Sequence, residues 1–211
     1  MATTREIVRL IALPFLIALL AGSPAASAIA QGGTPEATPA AAPVITLLVP
    51  LFDADGAQVG TAKLEESRDL AVTVSVIVSG LAPGPHGLHI HQTGRCDADG
   101  ATPFASAGAH FNPTDGTHGS PDDPEAHAGD LGNIVVGDDG TGELERTTTK
   151  VTLSPGPVTL ADADGSALVI HADRDDLETD PDGNSGARIA CGVIFSPAGT
   201  PVATPAASPA A

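Results

Sequence analysis

Apolar and polar residues alternate in short stretches along the middle of this chain, a pattern that predicts β-strands rather than helices. In Leu70–Val78, valine occupies every second position from 72 onward, and Thr, Ser and Ile fill the opposite face. Other apolar or alternating stretches predict strands at Ile45–Phe52, Gln58–Glu65, Gly87–His91, Leu131–Val136, Glu143–Leu153, Leu168–His171 and Ile189–Phe195. Turn-forming Gly, Pro and Asp separate them. About eight strands without a convincing helix predict an all-β fold, an antiparallel barrel or sandwich.

The start of the chain has the pattern of a secretory signal. Arg5 and Arg9 introduce the apolar run Leu10–Leu20, and Ala26–Ala28 forms a small-residue cleavage site. The run is shorter than the ~20 residues that a membrane-spanning helix needs, although an uncleaved anchor remains the alternative. We therefore expect a signal peptide at 1–28 and export to the periplasm, the cell envelope or the medium, where the redox conditions are oxidising.

Two segments rich in Pro, Ala and Thr flank the predicted domain. They cover 29–43 and 196–211, and both repeat Thr-Pro and Ala-Pro steps. Proline removes backbone donors and favours extended, solvated chain. We expect a linker and a disordered tail around one folded domain at 44–195, with tethering in the envelope or O-linked sugar as alternatives to a plain spacer.

Composition and charge exclude several classes of function. The chain has 9 Lys and Arg against 26 Asp and Glu, a formal net charge of −17, and only 2% aromatic residues. A nucleic-acid binder needs a basic face to neutralise phosphates, and anionic lipid attracts basic segments. We therefore expect no nucleic-acid partner and no membrane partner apart from an uncleaved anchor.

All seven histidines fall between residues 86 and 171, and candidate chemistry concentrates there. His89 and His91 are two residues apart on a predicted strand, so both rings project to the same face. Two such nitrogens suit the tetragonal geometry that Cu(II) prefers. The alternative is a half-buried strand face that carries two hydrogen-bonded histidines.

The long loop, residues 92–129, is the second candidate region. A loop of this length in a compact domain is usually functional or ordered by a ligand. Three histidines and one aspartate lie in it or directly after it: His110, His118, His127 and Asp130. They would give Zn²⁺ three nitrogens and one oxygen with no open position, which is typical of a structural site. The alternative is a polar surface loop with incidental histidines.

Four motifs follow one another along the predicted domain: Gly87–His91, Ser106–Pro113, His127–Asn133 and Gly183–Ile194. In residues and order they resemble the copper/zinc superoxide dismutases, of the exported bacterial type, over about 44–195. The resemblance implies an eight-stranded Greek-key barrel and an enzyme that converts superoxide to dioxygen and hydrogen peroxide in antioxidant defence outside the cytoplasm.

The resemblance also implies two metal ions that share one histidine. Copper, cycling between Cu²⁺ and Cu⁺, would be held by His89, His91, His110 and His171. Zinc would be held by His110, His118, His127 and Asp130. His110 would then bridge the two ions as an imidazolate, and it would take up and return a proton during turnover.

Two further residues match family positions beside the metals. Asp175, in the acidic loop of residues 172–187, would accept N–H bonds from His89 and His118. Arg188 would stand over the copper and orient the anion. Without the resemblance, Asp175 is interpreted equally well as a solvated acid, and Arg188 as a partner in a salt bridge at a strand edge.

The two cysteines match the family's disulfide. Cys96 lies in the long loop and Cys191 in the last predicted strand, and export allows them to pair. Their pairing would pin the long loop to the barrel, whereas two free thiols are the alternative.

Two rival functions remain open at this point. A non-catalytic copper or zinc buffer would use the same fold without needing Arg188, and a zinc hydrolase would need the open zinc position that Asp130 fills. The acidic loop departs from the family pattern, because Asp182 falls where many members have threonine. We therefore expect that guidance of the anion is weaker here or comes from basic residues elsewhere: Arg95, Arg146 or Lys150. The sequence is compatible with both a monomer and a homodimer.

Overall fold

The computed structural model describes residues 45–198 and 200–201; the predicted signal peptide, the linker and most of the tail lie outside the described residues. The strands are β1 Ile45–Asp53, β2 Gln58–Glu66, β3 Val72–Val78, β4 Gly84–His91, β5 Asp130–Val136, β6 Gly142–Thr148, β7 Ser166–His171, β8 Arg188–Ser196 and the two-residue β9 Thr200–Pro201. A short 3₁₀ turn spans Ala105–Ala107. Within the described ranges, no helix is long and apolar enough to cross a membrane.

The first eight strands close into an antiparallel barrel. Their order is β1-β2-β3-β6-β5-β4-β7-β8, and β8 returns to β1 where Phe52 lies opposite Cys191. The pairs β3–β6 and β4–β7 join strands that are not consecutive in the sequence, which is a Greek-key connection. The predicted all-β, eight-stranded antiparallel fold is confirmed.

The core follows from the alternation along each strand. In β3, the valines at 72, 74, 76 and 78 are at most 1% exposed, while the residues between them face outward. In β4, Leu88 and Ile90 join the aliphatic core, so His89 and His91 point to the other face of the strand. Burial of each Val, Leu or Ile side chain contributes about 1.5–3 kcal/mol, and aliphatic residues therefore suffice for a barrel without Trp or Tyr.

The prediction that one strand runs from Glu143 to Leu153 is wrong, because β6 ends at Thr148. The buried carboxylate of Glu66 accepts the backbone N–H groups of Leu153 (2.6 Å) and Ser154 (3.0 Å). Those amides bond to a side chain instead of a neighbouring strand, so the chain turns away from the sheet although its residues are apolar.

The strand containing His89 and His91 begins earlier than predicted. It starts at Gly84 rather than Gly87, and Pro85 lies opposite Val135 of β5. Pairing across the sheet here overrides the turn tendency of Pro and Gly. The other strand ends coincide with the predicted ones or differ from them by one or two residues.

The barrel gathers the candidate site residues on neighbouring strands. His89 of β4 lies opposite Asp130 of β5, and His171 of β7 lies opposite Arg188 of β8. Since β5, β4, β7 and β8 are consecutive in the sheet, these side chains meet at one end of four adjacent strands.

Candidate metal centre

The long loop returns to β4 and places its histidines beside those of the strand. Phe111 N–H donates to Ile90 O, and Ile90 N–H donates to Gly129 O, both at 2.8 Å. Glycine is required at 129 because a Cβ there would overlap Ile90 O. The pairing continues as a bridge between His91 and His110, so His110 lies against the strand that carries the other two histidines.

Four buried histidines form the first donor group. Their ligand atoms lie within 4.8 Å of one another, and the members are His89, His91, His110 and His171. The Nε2 atoms of His91 and His171 face each other at 3.3 Å, and the ring centroids of His89 and His110 are 3.9 Å apart. Imidazole nitrogens gathered in this way suit copper, as they also suit zinc, iron and nickel.

Hydrogen bonds behind the rings fix which nitrogen faces the centre of this group. His91 Nδ1 donates to Gly108 O at 2.9 Å, and His171 Nδ1 donates to Gly186 O at 3.2 Å. Both bonds leave Nε2 as the inward atom. Outer hydrogen bonds of this kind set the tautomer and orientation of histidines that bind metal.

A second donor group surrounds the carboxylate of Asp130 at the start of β5. Its Oδ1 lies 2.8 Å from His110 Nδ1, 3.1 Å from His118 Nδ1 and 3.5 Å from His127 Nδ1. Its Oδ2 accepts the N–H of Gly119 at 3.0 Å. Burial alone would raise the pKa of Asp130, but hydrogen bonds from His110 and His118 hold it far below its usual value. Three imidazole nitrogens and one carboxylate oxygen therefore converge, a set that suits zinc.

His127 stands slightly apart in this second group. The ligand atoms that lie within 4.8 Å of one another belong to His89, His110, His118 and Asp130. The Nδ1 of His127 is nevertheless buried and has no hydrogen-bond partner among the described residues. His127 therefore stays a predicted zinc ligand, and His89 lies between the two groups.

One buried carboxylate joins the two groups from behind. Asp175 accepts hydrogen bonds from His89 Nε2 and His118 Nε2, both at 2.8 Å, which leaves Nδ1 of each ring facing inward. The side chain of Asn133 holds the backbone of Asp175: its Oδ1 accepts the Asp175 N–H, and its Nδ2 donates to the Asp175 carbonyl. Burial alone would raise the pKa of Asp175, but its two histidine partners lower it well below the usual range. The structure thus contains both hydrogen bonds that the resemblance implied for Asp175.

Unpartnered nitrogens show where metal ions fit. In the part of the chain that the structure describes, His89 Nδ1, His110 Nε2 and His127 Nδ1 are buried without a hydrogen-bond partner. An orphaned buried polar atom costs about 1–3 kcal/mol, which a bound cation would offset. Burial also lowers the pKa of His89 to about 4 and that of His171 to about 3, so both rings stay neutral, the form that binds metal. The donors fit copper in the first group and zinc in the second, with His110 common to both.

A cavity of about 420 Å³ opens the first donor group to solvent. His91, His110 and His171 line it, together with Arg188 and Asp182. A small anion that entered this cavity would meet the inward face of the histidines beside a guanidinium. Asp182 places a negative charge in the same wall, as its position in the acidic loop predicted.

Backbone carbonyls hold the guanidinium of Arg188 in place. Its Nη1 donates to Phe104 O at 2.6 Å, and its Nη2 donates to Gly108 O, the carbonyl that also orients His91. Burial lowers the pKa of Arg188 and the charge of Asp182 opposes that shift. An arginine in a protein stays protonated, so the cavity keeps a fixed positive charge.

The disulfide between Cys96 and Cys191 is confirmed, with Cα atoms 5.7 Å apart and a sequence separation of 95. Cys191 packs with Phe104 and Ala107 in a small apolar cluster. The bond therefore ties β8 to the part of the long loop whose carbonyls hold Arg188.

Sequence reasoning missed two contributors to the site, Gly108 O and Asp180. A backbone carbonyl has no residue-type signature, and Asp180 is one of several acids in its loop. Its Oδ1 accepts the N–H of His118 at 2.7 Å, a contact over 62 residues that no local pattern predicts.

The seventh histidine, His86, lies outside the donor groups. Its ring nitrogens are 2.8 and 2.9 Å from the carbonyls of Ala82 and His171, respectively.

Zinc binding to the metal-free protein at about pH 8 is expected to release about one proton from His118. Burial lowers the pKa of His118, but hydrogen bonds with Asp130 and Asp175 outweigh it and raise the pKa to about 10. The ring therefore carries two protons at that pH and must lose the one on Nδ1 to bind metal, so zinc affinity should rise with pH toward that value. Calorimetry in buffers of different ionisation enthalpy measures the released proton, and a heat that does not depend on the buffer would contradict the prediction.

Comparison with known proteins places this site in a family. The family model described as copper/zinc superoxide dismutase (SODC) matches residues 58–194. A Cu-Zn superoxide dismutase of Deinococcus radiodurans is 44% identical over 159 residues, which cover 71% of this chain and 84% of the relative. An extracellular Cu-Zn superoxide dismutase of Brugia pahangi is 40% identical over 158 residues, 71% of this chain and 75% of the relative. This chain belongs to the copper/zinc superoxide dismutase family of oxidoreductases.

Solved structures share the barrel. A SOD-like protein from Bacillus subtilis is 38% identical, with a TM-score of 0.63, and the match covers 70% of this chain and 97% of that one. The clock protein EA4 is 31% identical, with a TM-score of 0.59, covering 70% of this chain and 92% of that one. Since proteins with such different descriptions share the fold, the function of this chain has to be argued from its own site.

Proposed function

We propose that this protein converts two superoxide anions and two protons into one dioxygen and one hydrogen peroxide. The observation that carries the proposal is the pair of donor groups joined by His110, whose Nδ1 contacts Asp130 and whose Nε2 is buried without a partner. Family membership supports it, because both curated relatives described above are named Cu-Zn superoxide dismutases.

The metal ligands in this proposal are those of the two donor groups. Copper would be held by His89, His91, His110 and His171, and zinc by His110, His118, His127 and Asp130. When bound, copper supplies the one-electron couple that dismutation requires, and zinc fixes the long loop. His110 would bridge the two ions.

The remaining steps depend on residues of this chain. Arg188 presents a fixed positive charge in the cavity wall and orients the small anion there. His110, which lines the same cavity, would take up a proton at Nε2 when that nitrogen is not bound to copper and pass it to the reduced substrate, and Asp130 contacts the ring at Nδ1. The overall reaction needs no side-chain nucleophile.

The two rival functions fit this arrangement less well. A zinc hydrolase needs an open position on the metal, and Asp130 fills the fourth one. A metal buffer has no use for a guanidinium held by two carbonyls inside the cavity. Superoxide consumption by the copper-loaded protein, set against ester hydrolysis by the zinc-only protein, separates the three functions.

Replacing Arg188 with alanine is expected to lower kcat/KM for superoxide about 10- to 100-fold, since hydrogen bonds to a charged group contribute about 1.5–3 kcal/mol. Copper and zinc contents should stay unchanged, because the described hydrogen bonds of Arg188 go to the carbonyls of Phe104 and Gly108 and not to a predicted ligand side chain. The control is Arg174→Ala, which removes the same charge from the exposed part of the acidic loop. Equal losses in the two variants would mean that only net charge matters.

We also propose that the protein is exported. Residues 1–28 would be removed as a signal peptide, and 29–43 would serve as an extended spacer before the domain at 44–195. The segment 196–211 would serve as a spacer after the domain, apart from its short pairing with β8 at Thr200–Pro201. The disulfide supports export, because such bonds persist in oxidising compartments, and one relative is named extracellular. N-terminal sequencing of the mature protein tests the cleavage, and a mature chain that retains Met1 would contradict it.

A further inference from the structure

Asp180, in the acidic loop, touches two of the predicted zinc histidines from outside the donor group. Its Oδ1 accepts the backbone N–H of His118 at 2.7 Å. The same oxygen lies 3.7 Å from Nε2 of His127. One carboxylate oxygen therefore connects the acidic loop to the main chain of one zinc histidine and to the ring of another.

The second nitrogen of each zinc histidine has distinct surroundings. Every one of these rings turns Nδ1 toward Asp130, so the surroundings of Nε2 decide how firmly the ring is held. In His110, Nε2 belongs to the copper group, and in His118 it donates to Asp175. In His127, Nε2 faces Asp180.

We propose that Asp180 is a positioning residue of the zinc site, which holds the His118 main chain by a hydrogen bond and attracts the His127 ring electrostatically at Nε2. This inference rests on the zinc ligands of the proposed function. A carboxylate behind a ligating histidine fixes its tautomer and raises its basicity, and removing such a partner typically weakens metal binding about 10- to 100-fold.

Charge and exposure around Asp180 support this role. The Oδ1 atom of Asp180 lies 3.7 Å from Nε2 of His127, so the charge of the carboxylate acts on the ring. The Asp180 side chain is 55% exposed and is no part of the barrel core. Its contacts serve the zinc loop rather than the packing of the fold.

The test compares Asp180→Asn with Glu178→Gln in the full-length protein. Asparagine keeps an oxygen that accepts the His118 N–H and loses only the charge behind His127. Glu178→Gln makes the same change of charge at an exposed residue of the same loop, whose described hydrogen bond uses only its backbone N–H. The readouts are Zn²⁺ affinity by chelator competition, the visible spectrum of the Co²⁺-substituted site, Cu²⁺ affinity and urea unfolding of the metal-free protein.

For Asp180→Asn we expect Zn²⁺ affinity to fall about 10- to 100-fold and the Co²⁺ spectrum to shift. Copper affinity and metal-free stability should match wild type, and Glu178→Gln should match it in every readout. If Asp180→Asn binds Zn²⁺ as tightly as wild type, the inference is overturned. It is also overturned if the variant loses copper affinity and metal-free stability as much as zinc affinity, because the effect would then not be specific to the zinc site. A wild-type protein that binds no zinc would overturn the zinc set of the proposed function as well, so the two failures are distinguishable.

Discussion

Replacing His110 with alanine is expected to reduce copper-dependent superoxide turnover below about 1% of wild type. Loss of an outer partner of a metal ligand already costs about 10- to 100-fold, and His110 is a predicted ligand that belongs to both donor groups. It also lines the cavity and supplies the proposed proton at Nε2. The measurement is superoxide decay followed by stopped flow, normalised to bound copper.

Two companion variants make this result specific. His110→Gln keeps a group that can bond to Asp130 but cannot join two metal ions, so it should be as inactive as alanine while the barrel stays folded. His118→Ala removes a ligand from the zinc group alone, and we expect it to lose zinc but keep part of the copper-dependent turnover. Turnover above about a tenth of wild type in a folded His110→Gln protein would contradict the role of His110.

Replacing both cysteines with serine is expected to lower the free energy of unfolding of the metal-free protein by about 4–5 kcal/mol. The disulfide spans 95 residues, and closing a loop of that length removes much of the entropy of the unfolded chain. Because a domain is typically stable by only about 5–15 kcal/mol, this is a large part of the total. Urea unfolding of the metal-free variant and of the metal-free wild type, under the same conditions, measures the loss of stability.

The disulfide variant should also lose activity when loaded with metal. The bond fixes the segment whose carbonyls, Phe104 O and Gly108 O, hold Arg188. We therefore expect kcat/KM to fall, as in Arg188→Ala. Wild-type protein treated with a reductant is the matched control, because it opens the same loop without a substitution at the buried Cys191. A stability loss below about 1 kcal/mol in both samples would show that the loop is held by other contacts.

The barrel could be predicted because its strands carry local signals. Alternation places the β3 valines in the core, and the spacing of His89 and His91 places both rings on one face. The end of β6 could not be predicted, since the Glu66 carboxylate that captures Leu153 and Ser154 lies 87 and 88 residues away in sequence. Strand ends depend on such distant partners, whereas strand centres depend on their own pattern.

The candidate site also has residues that the sequence predicts and residues that it does not predict. The clustered histidines alone indicate the pair His89 and His91 and the zinc set. The family resemblance adds the remaining predictions, which are His171 and His110 for copper, Asp175 and Arg188. Gly108 and Asp180 act through a backbone carbonyl and through one acid among many, and only the folded chain brings them to the site. What orients the ligands was therefore harder to predict than the ligands themselves.

The central claim is tested most directly by superoxide decay with the purified protein in three states: loaded with copper and zinc, loaded with zinc alone, and free of metal. The protein loaded with both metals should accelerate the decay over many turnovers per copper, forming one dioxygen and one hydrogen peroxide for every two superoxide anions consumed. The other two states should not accelerate it. A folded protein with both metals bound that leaves the decay rate unchanged, or equal rates with zinc alone, would contradict the account.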